Sequence, residues 1–331
     1  MILTRYLYNK EYVEYSLFIS LIERNSDEAM FWCYELYFSG FKKHVFSLLW
    51  LHYYNLYAPF YVRLEKYFFK KTQLWLQNMD DHTIIGTLCM NLVTREPCVD
   101  FYFMKKNSIP YPSILIPYIE KLDYLNNFEV LNTFIKENHC FTTIAKNTLS
   151  NLQYVYSHIS ILNPHILKQA CISRMFSGMF LNDENNSLDK NFFIMLKREH
   201  IIEYLNKPFI KMKTWKAPYK RCVYDVKLPP RHEKMNFDVY YNWLYYASHS
   251  PTWERRIKRY NGCIVDDERL VDFPNDDDLE DFFDYYDMEP DEQPREVIDK
   301  WLGVQPYNSY KEIYDKYSLQ ILKDWLKQNN L

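Results

Sequence analysis

Five glycines are all that 331 residues contain, at positions 40, 86, 178, 262 and 303. Loops that cradle phosphates need clustered glycines, because only a residue without Cβ lets the backbone close on the ligand. No two of these glycines lie near enough to build such a loop, which excludes P-loop ATPases, Rossmann dinucleotide sites and kinase glycine loops. The same scarcity argues against a β-sandwich or barrel, whose tight turns consume glycine. The seven cysteines, Cys33, Cys89, Cys98, Cys140, Cys171, Cys222 and Cys263, contain no C-x-x-C pair. The nine histidines contain no H-E-x-x-H, so zinc-ligand spacing is missing as well. His139 and Cys140 are adjacent, a spacing at which two side chains rarely address one substrate. The cysteines read as buried free thiols of a reducing compartment. No apolar run reaches the roughly 18 residues that span a bilayer. The longest, near Val45 to Tyr57, is interrupted by His52 and Asn55, and "MILTRYLYNKEYVEY" has no signal-peptide apolar core. The expectation is a soluble, intracellular, non-enzymatic chain with no cofactor and no metal, working by binding other macromolecules.

What the chain has in quantity is rings and unevenly placed charge. Aromatic residues make up 18%, with 31 Tyr and 22 Phe, so much of the core must be ring packing. The net charge is −3, yet Asp266 to Asp299 alone holds 16 acids and 2 bases, leaving the remainder basic.

Helix signals dominate. Asn25 with Glu28 forms a capping-box spacing before the run Ala29 to Phe38, and Gly40 stands where a helix-ending glycine belongs. Val45, Leu48, Leu49, His52 and Leu56 share one helical face, and Pro59 ends that helix. Further helices are expected from about 61 to 76, from Asp80 or Asp81 to Thr94, and over about 119–136, 142–162, 164–179 and 190–205. Cys98 to Met104 alternates weakly, as a strand would. After a proline-bearing break near Lys207, one aromatic helix is expected over 237–260 and a hairpin in "CIVDDERLVDF". An acidic helix capped by Asn275, a short helix from Pro294 to Gly303 and a last helix with a Ser309–Glu312 box complete the reading. The fold class is therefore mainly α, a helical bundle or HEAT-like solenoid with a small C-terminal α+β module. The expected domains are 1–206, a basic linker 207–235 and the module 236–331.

Two stretches invite a functional reading. Lys211, Lys213, Lys216, Lys220 and Arg221 interleave with Trp215 and Tyr219, a mixture of cations and rings suited to single-stranded nucleic acid, or else a solvated linker. "WERRIKRY", Trp253 to Tyr260, is a second basic cluster with the same alternatives. The acidic stretch suits a basic partner, a shield over the basic stretch, or plain solvated surface. Tyr12, Leu17 and Phe18 fit Y-x-x-x-x-L-Φ, either a docking face or the core stripe of the first helix.

That seven-residue motif resembles the one with which the scaffold subunit of the eukaryotic cap-binding translation initiation complex grips the cap-binding protein. The resemblance implies Tyr12, Leu17 and Phe18 as partner-binding residues on an all-helical scaffold. More of the chain, "ERNSDEAMFWCYELYFSGF", "NWLYYASHSPTWERRIKRYNG" and "EPDEQP", resembles a protein family of giant (nucleocytoplasmic large) DNA viruses that brings no known activity or site residues. It implies a viral protein of the host cytoplasm, in the viral factory. The expected function is an interaction scaffold for translation initiation, its partners a viral cap-binding protein or helicase, with RNA or DNA also possible and no membrane. The alternative is a nucleic-acid-associated accessory protein of viral transcription or replication.

Overall fold

Polar side chains cap the start of several helices, and left-handed backbone follows some of them. The computed structural model describes residues 1–106, 154, 165–180, 193–201, 224–232, 237–286, 288–290 and 292–328. Helix α1 (Lys10–Glu23) begins at Asn9, whose side chain accepts from the Glu11 amide, and ends at Arg24 with φ 58°. Helix α2 (Ser26–Phe38) begins at Asn25, which accepts the Glu28 amide at 3.3 Å. Helix α3 (Lys42–His52) runs into a π-helical turn, Tyr53–Tyr57. Helices α4 (Val62–Gln77), α5 (His82–Val93), α6 (Val99–Lys105) and α7 (His165–Phe180) follow. The chain continues through α8 (Phe237–Tyr241), α9 (Trp243–Ser248) and α10 (Pro251–Arg259). Strands β1 (Cys263–Val265) and β2 (Leu270–Asp272) pair antiparallel with Ile264 opposite Val271. Helices α11 (Asp276–Tyr286), α12 (Arg295–Leu302), α13 (Tyr310–Tyr317) and α14 (Gln320–Gln328) complete it. The protein is mainly helical, and this hairpin is the one sheet among the described residues.

Three local expectations are corrected. Cys98 to Met104 is not a strand: α6 is helical and buries Val99, Asp100, Phe101, Phe103 and Met104, so its weak alternation carried no single face. The helix expected over 190–205 is absent where that span is described. Residues 193–197 form neither helix nor strand and Arg198–Ile201 is a single 3₁₀ turn. The aromatic helix expected over 237–260 is three helices, broken before Trp243 and again at Ser250–Pro251, where Ser250 caps α10 and proline takes its first turn. Of the cysteines, Cys33, Cys89, Cys98 and Cys171 are buried free thiols, whereas Cys263 is exposed. The helices expected over 119–136 and 142–162 lie outside the described residues, apart from Tyr154.

The chain divides into two units, each drawn from distant parts of the sequence: Met1–Lys42 with Arg198–Tyr310, and Lys43–Lys197 with Lys311–Leu331. The expected boundaries run along the sequence, whereas here the first 42 residues share a unit with residues 198–310.

In the first unit the N-terminal segment is threaded into α9 and α10. The Leu3 amide donates to the Tyr246 carbonyl at 3.2 Å, and the Trp253 indole donates to the Thr4 carbonyl at 3.0 Å. Arg5 and Glu35 form a buried ion pair at 2.8 Å, completed by the Tyr6 amide on the same carboxylate at 3.1 Å. Removing one partner of such a pair strands a charge and costs about 3–5 kcal/mol. Lys227, almost fully buried, bonds Glu28 and Glu23, and Tyr307 donates to Glu23 at 2.6 Å. Trp253, Phe282 and Tyr286 form an aromatic knot, with Arg256 over the Trp253 ring at 4.3 Å. Burial pushes the Arg256 guanidinium down to about 10.

In the second unit α3, the π-turn and α4 surround another ring cluster: Phe46 stacks on Trp75 at 3.9 Å, and Trp50 stacks on Tyr54 at 5.8 Å. Arg174 of α7 reaches into it, paired with Glu65 and donating to the Tyr53 hydroxyl at 2.8 Å and the Ala58 carbonyl at 3.2 Å. These bonds satisfy the carbonyl at the end of the π-turn, where regular helical bonding stops. The buried Asp100 of α6 accepts the Leu319 amide at 3.0 Å, just before α14, and Phe176 meets Trp325 at 5.8 Å.

Candidate nucleic-acid interface

Helix α4, VRLEKYFFKKTQLWLQ, sorts its residues by face. Leu64, Glu65, Phe68, Thr72 and Trp75 are buried. Arg63, Lys66, Lys70 and Leu74, at i, i+3, i+7 and i+11, are exposed, and Lys71 is half-exposed beside them. At about 1.5 Å per residue, Arg63 to Lys70 extends about 10 Å along the helix. The one acid of α4, Glu65, points inward to Arg174, so its open face carries cations and no anion. Among the described residues no carboxylate pairs with Lys66 or Lys70. Lys66 and Lys70 therefore present their ammonium groups to solvent with no carboxylate partner among the described residues.

Rings flank this row. Tyr67 stacks on Phe193 at 4.3 Å with planes 7° apart, and Lys71 lies over the Tyr67 ring at 5.6 Å. Arg95 covers Phe193 at 5.6 Å and Tyr61 at 5.7 Å. Burial raises the Tyr67 phenol above its ordinary range, with Arg95 opposing, so at neutral pH the hydroxyl keeps its proton and donates to the Ile194 carbonyl at 3.2 Å. Phe69 meets Tyr154 edge-on at 5.4 Å. Cations beside aromatic faces are the elements from which sequence-tolerant single-strand surfaces are built.

No protein family model, characterised protein or solved structure matches the chain.

Lys211, Lys213, Trp215, Lys216, Tyr219, Lys220 and Arg221 lie outside the described residues. The second basic cluster, Trp253 to Tyr260, is partly core: Trp253 is fully buried and Arg256 is 7% exposed. On its surface, Lys258 pairs with Glu254, and Arg259 lies over the Tyr285 ring at 5.0 Å. The acids of α11 face solvent, with Asp276, Asp277 and Asp278 in its first turn, where the helix dipole favours them. Leu17 is fully buried, Phe18 is 5% exposed and Tyr12 is half-buried, so these side chains already pack within the first unit. For them to fill a partner's groove, α1 must first leave α2. The α4 row went unread because its cations are spaced along a face instead of clustered in a run; projecting residues 62–77 on a helical wheel brings it out. Among the described residues, no group of three His, Cys, Asp or Glu side chains could hold a metal ion, and no helix is long and apolar enough to cross a membrane.

Proposed function

We propose that the chain is a non-enzymatic protein that associates with single-stranded nucleic acid, the exposed face of α4 lying along the phosphate backbone. The observation that carries this reading is the pair of exposed cations Lys66 and Lys70 with Lys71 beside them, on a helix face that has no acid of its own. Exposed cations on phosphates release condensed counterions, which supplies affinity without reading bases. The neighbouring Tyr67–Phe193 stack offers ring edges against which bases can lie. Binding of this kind is sequence-tolerant and salt-sensitive, as suits an accessory protein of transcription or replication.

The test is fluorescence anisotropy with a labelled single strand of about 16 nucleotides, the upper site size of a single-strand-binding fold. Affinity should fall steeply between about 50 and 200 mM salt. Replacing Lys66, Lys70 and Lys71 together with Gln should flatten the slope of log affinity against log salt by about 2, at roughly 0.7 per lost phosphate contact. No binding by the wild type at the low-salt end, or an unchanged slope in the triple variant, refutes the proposal.

A further inference from the structure

Phe193 to Lys197 is neither helix nor strand and joins no sheet among the described residues, and its side chains alternate between exposed and half-buried as those of an extended backbone do. Side chains of two helices bond its main chain instead. The Ile194 amide donates to Asn91 Oδ1 at 3.0 Å. The Ile194 carbonyl accepts from Asn91 Nδ2 at 2.7 Å and from the Tyr67 hydroxyl at 3.2 Å. Two residues on, the Leu196 amide donates to Thr87 Oγ1 at 3.1 Å. Bonds at alternate residues engage one edge of an extended backbone, and they are made to groups that every residue except proline carries.

The segment itself buries little. Phe193 is 40% exposed and Met195 66% exposed, Lys197 is exposed, and only Ile194 and Leu196 are half-buried. A segment with so few buried apolar contacts separates from its helices far more readily than the core does. The receiving side is the opposite. Asn91 is fully buried and Thr87 is 2% exposed. Within α5 the Asn91 amide also donates to the Thr87 carbonyl at 2.8 Å and accepts from Arg95 at 3.2 Å, which holds its orientation. Without an occupant the buried Asn91 amide loses two bonds, and a buried polar group left unsatisfied is costly. The groove therefore favours exchange of one extended segment for another over standing empty.

We infer that the α4–α5 groove is a peptide-binding site that reads main chain, held in this structure by the chain's own residues 193–197 and open by exchange to an extended segment of a partner protein. The partner segment has the pattern aromatic–aliphatic–x–aliphatic. The aromatic is specified by Tyr67 at 4.3 Å and Arg95 at 5.6 Å from the Phe193 ring. The two aliphatics take the half-buried places of Ile194 and Leu196, and the third position faces solvent as Met195 does. Main-chain bonds supply the hold and alternate side chains the selectivity, as when a strand is added to a sheet edge.

A fluorescein-labelled peptide of residues 191–197, NFFIMLK, tests this on the full-length chain and its Ile194→Pro variant. Proline has no amide to give Asn91 yet keeps extended backbone, so the internal segment is released while the groove stays intact. Apparent affinity scales with the fraction of molecules whose groove is vacant, so the variant should bind the peptide at least about tenfold more tightly than the wild type. Adding Asn91→Ala should abolish that binding. An unlabelled peptide with proline in place of Ile194 should fail to compete, and one with serine in place of Met195 should compete as well as the parent. Hydrogen exchange on the wild type gives a readout without variants: the Ile194 and Leu196 amides should exchange faster than those of Leu88 and Cys89 in α5. The inference is overturned if a folded Ile194→Pro variant binds no peptide, or if binding survives Asn91→Ala. Exchange at Ile194 and Leu196 as slow as in α5 also overturns it.

Discussion

Leu17 and Phe18 sit one behind the other in α1 and both are buried. Large-to-small truncation of buried side chains costs about 2–5 kcal/mol each, so Leu17→Ala with Phe18→Ala should remove several kcal/mol of stability in urea unfolding. A loss below about 1 kcal/mol, as expected of surface sites, would return these residues to a docking role. The motif was legible as helical spacing, but α1 is also buried at Val13, Ser16, Ser20 and Leu21, on more than one face. Spacing names a face and does not say how many faces are covered. Asp100 offers a second test. Burial raises its carboxyl above the ordinary range, against the pull of the Leu319 amide and the Tyr314 hydroxyl. A group raised in the folded state stabilises fully below its unfolded pKa and loses that contribution as pH climbs through the folded value. Asp100→Asn does not titrate, so the Tm of the wild type measured against this variant should fall as pH rises from about 4. A constant difference across that range would show that Asp100 does not titrate as described.

Element ends were the most legible level, because caps act through local bonds. Asn25, Asp81 and Asn275 each cap the helix expected of them, and Gly303 follows α12 at φ +85°. Legibility failed where tertiary partners replaced local ones. Residues 193–197 have apolar content compatible with a helix, yet Asn91, Thr87 and Tyr67 take their backbone bonds. The α4 row was legible in principle, since Arg63, Lys66 and Lys70 need only a helical projection. Gly40 joins two elements in a way the sequence shows only in half. Its φ of +97° is what a helix-ending glycine supplies, but an added Cβ would also stand 2.6 Å from Pro251 Cβ at the start of α10. Gly40→Ala therefore meets both left-handed strain of about 1–2 kcal/mol and a collision with a rigid ring. We expect a Tm lowered by several degrees, read by near-ultraviolet circular dichroism at Trp253, whose helix begins beside that ring. An unshifted Tm would mean the α2–α10 junction yields without cost.

At the scale of the whole molecule, the first 42 residues belong with the module that ends at Tyr310. No periodicity reports a hydrogen bond such as that from Trp253 to Thr4, 249 positions apart, so this grouping of distant segments is not legible from pattern alone. Deleting residues 1–42 should therefore unfold the C-terminal module, removing the bonds at Trp253 and Lys227 and exposing the aromatic knot. Limited proteolysis would show this as rapid loss of residues 237–310. A truncated chain that keeps this stretch protected would restore the module's independence.

The same long-range assembly sets a timetable for synthesis. Residues 1–42 leave the ribosome well before residues 198–310, carrying Tyr8, Phe31 and Trp32, all buried in the finished unit. The residues that cover this unit lie roughly 200 positions later, about 10–40 s at 5–20 residues per second. Through that interval a sticky aromatic hairpin waits without its counterpart. Yield of the native protein should thus depend on chaperones that hold nascent chains, and slower translation should lengthen that exposure.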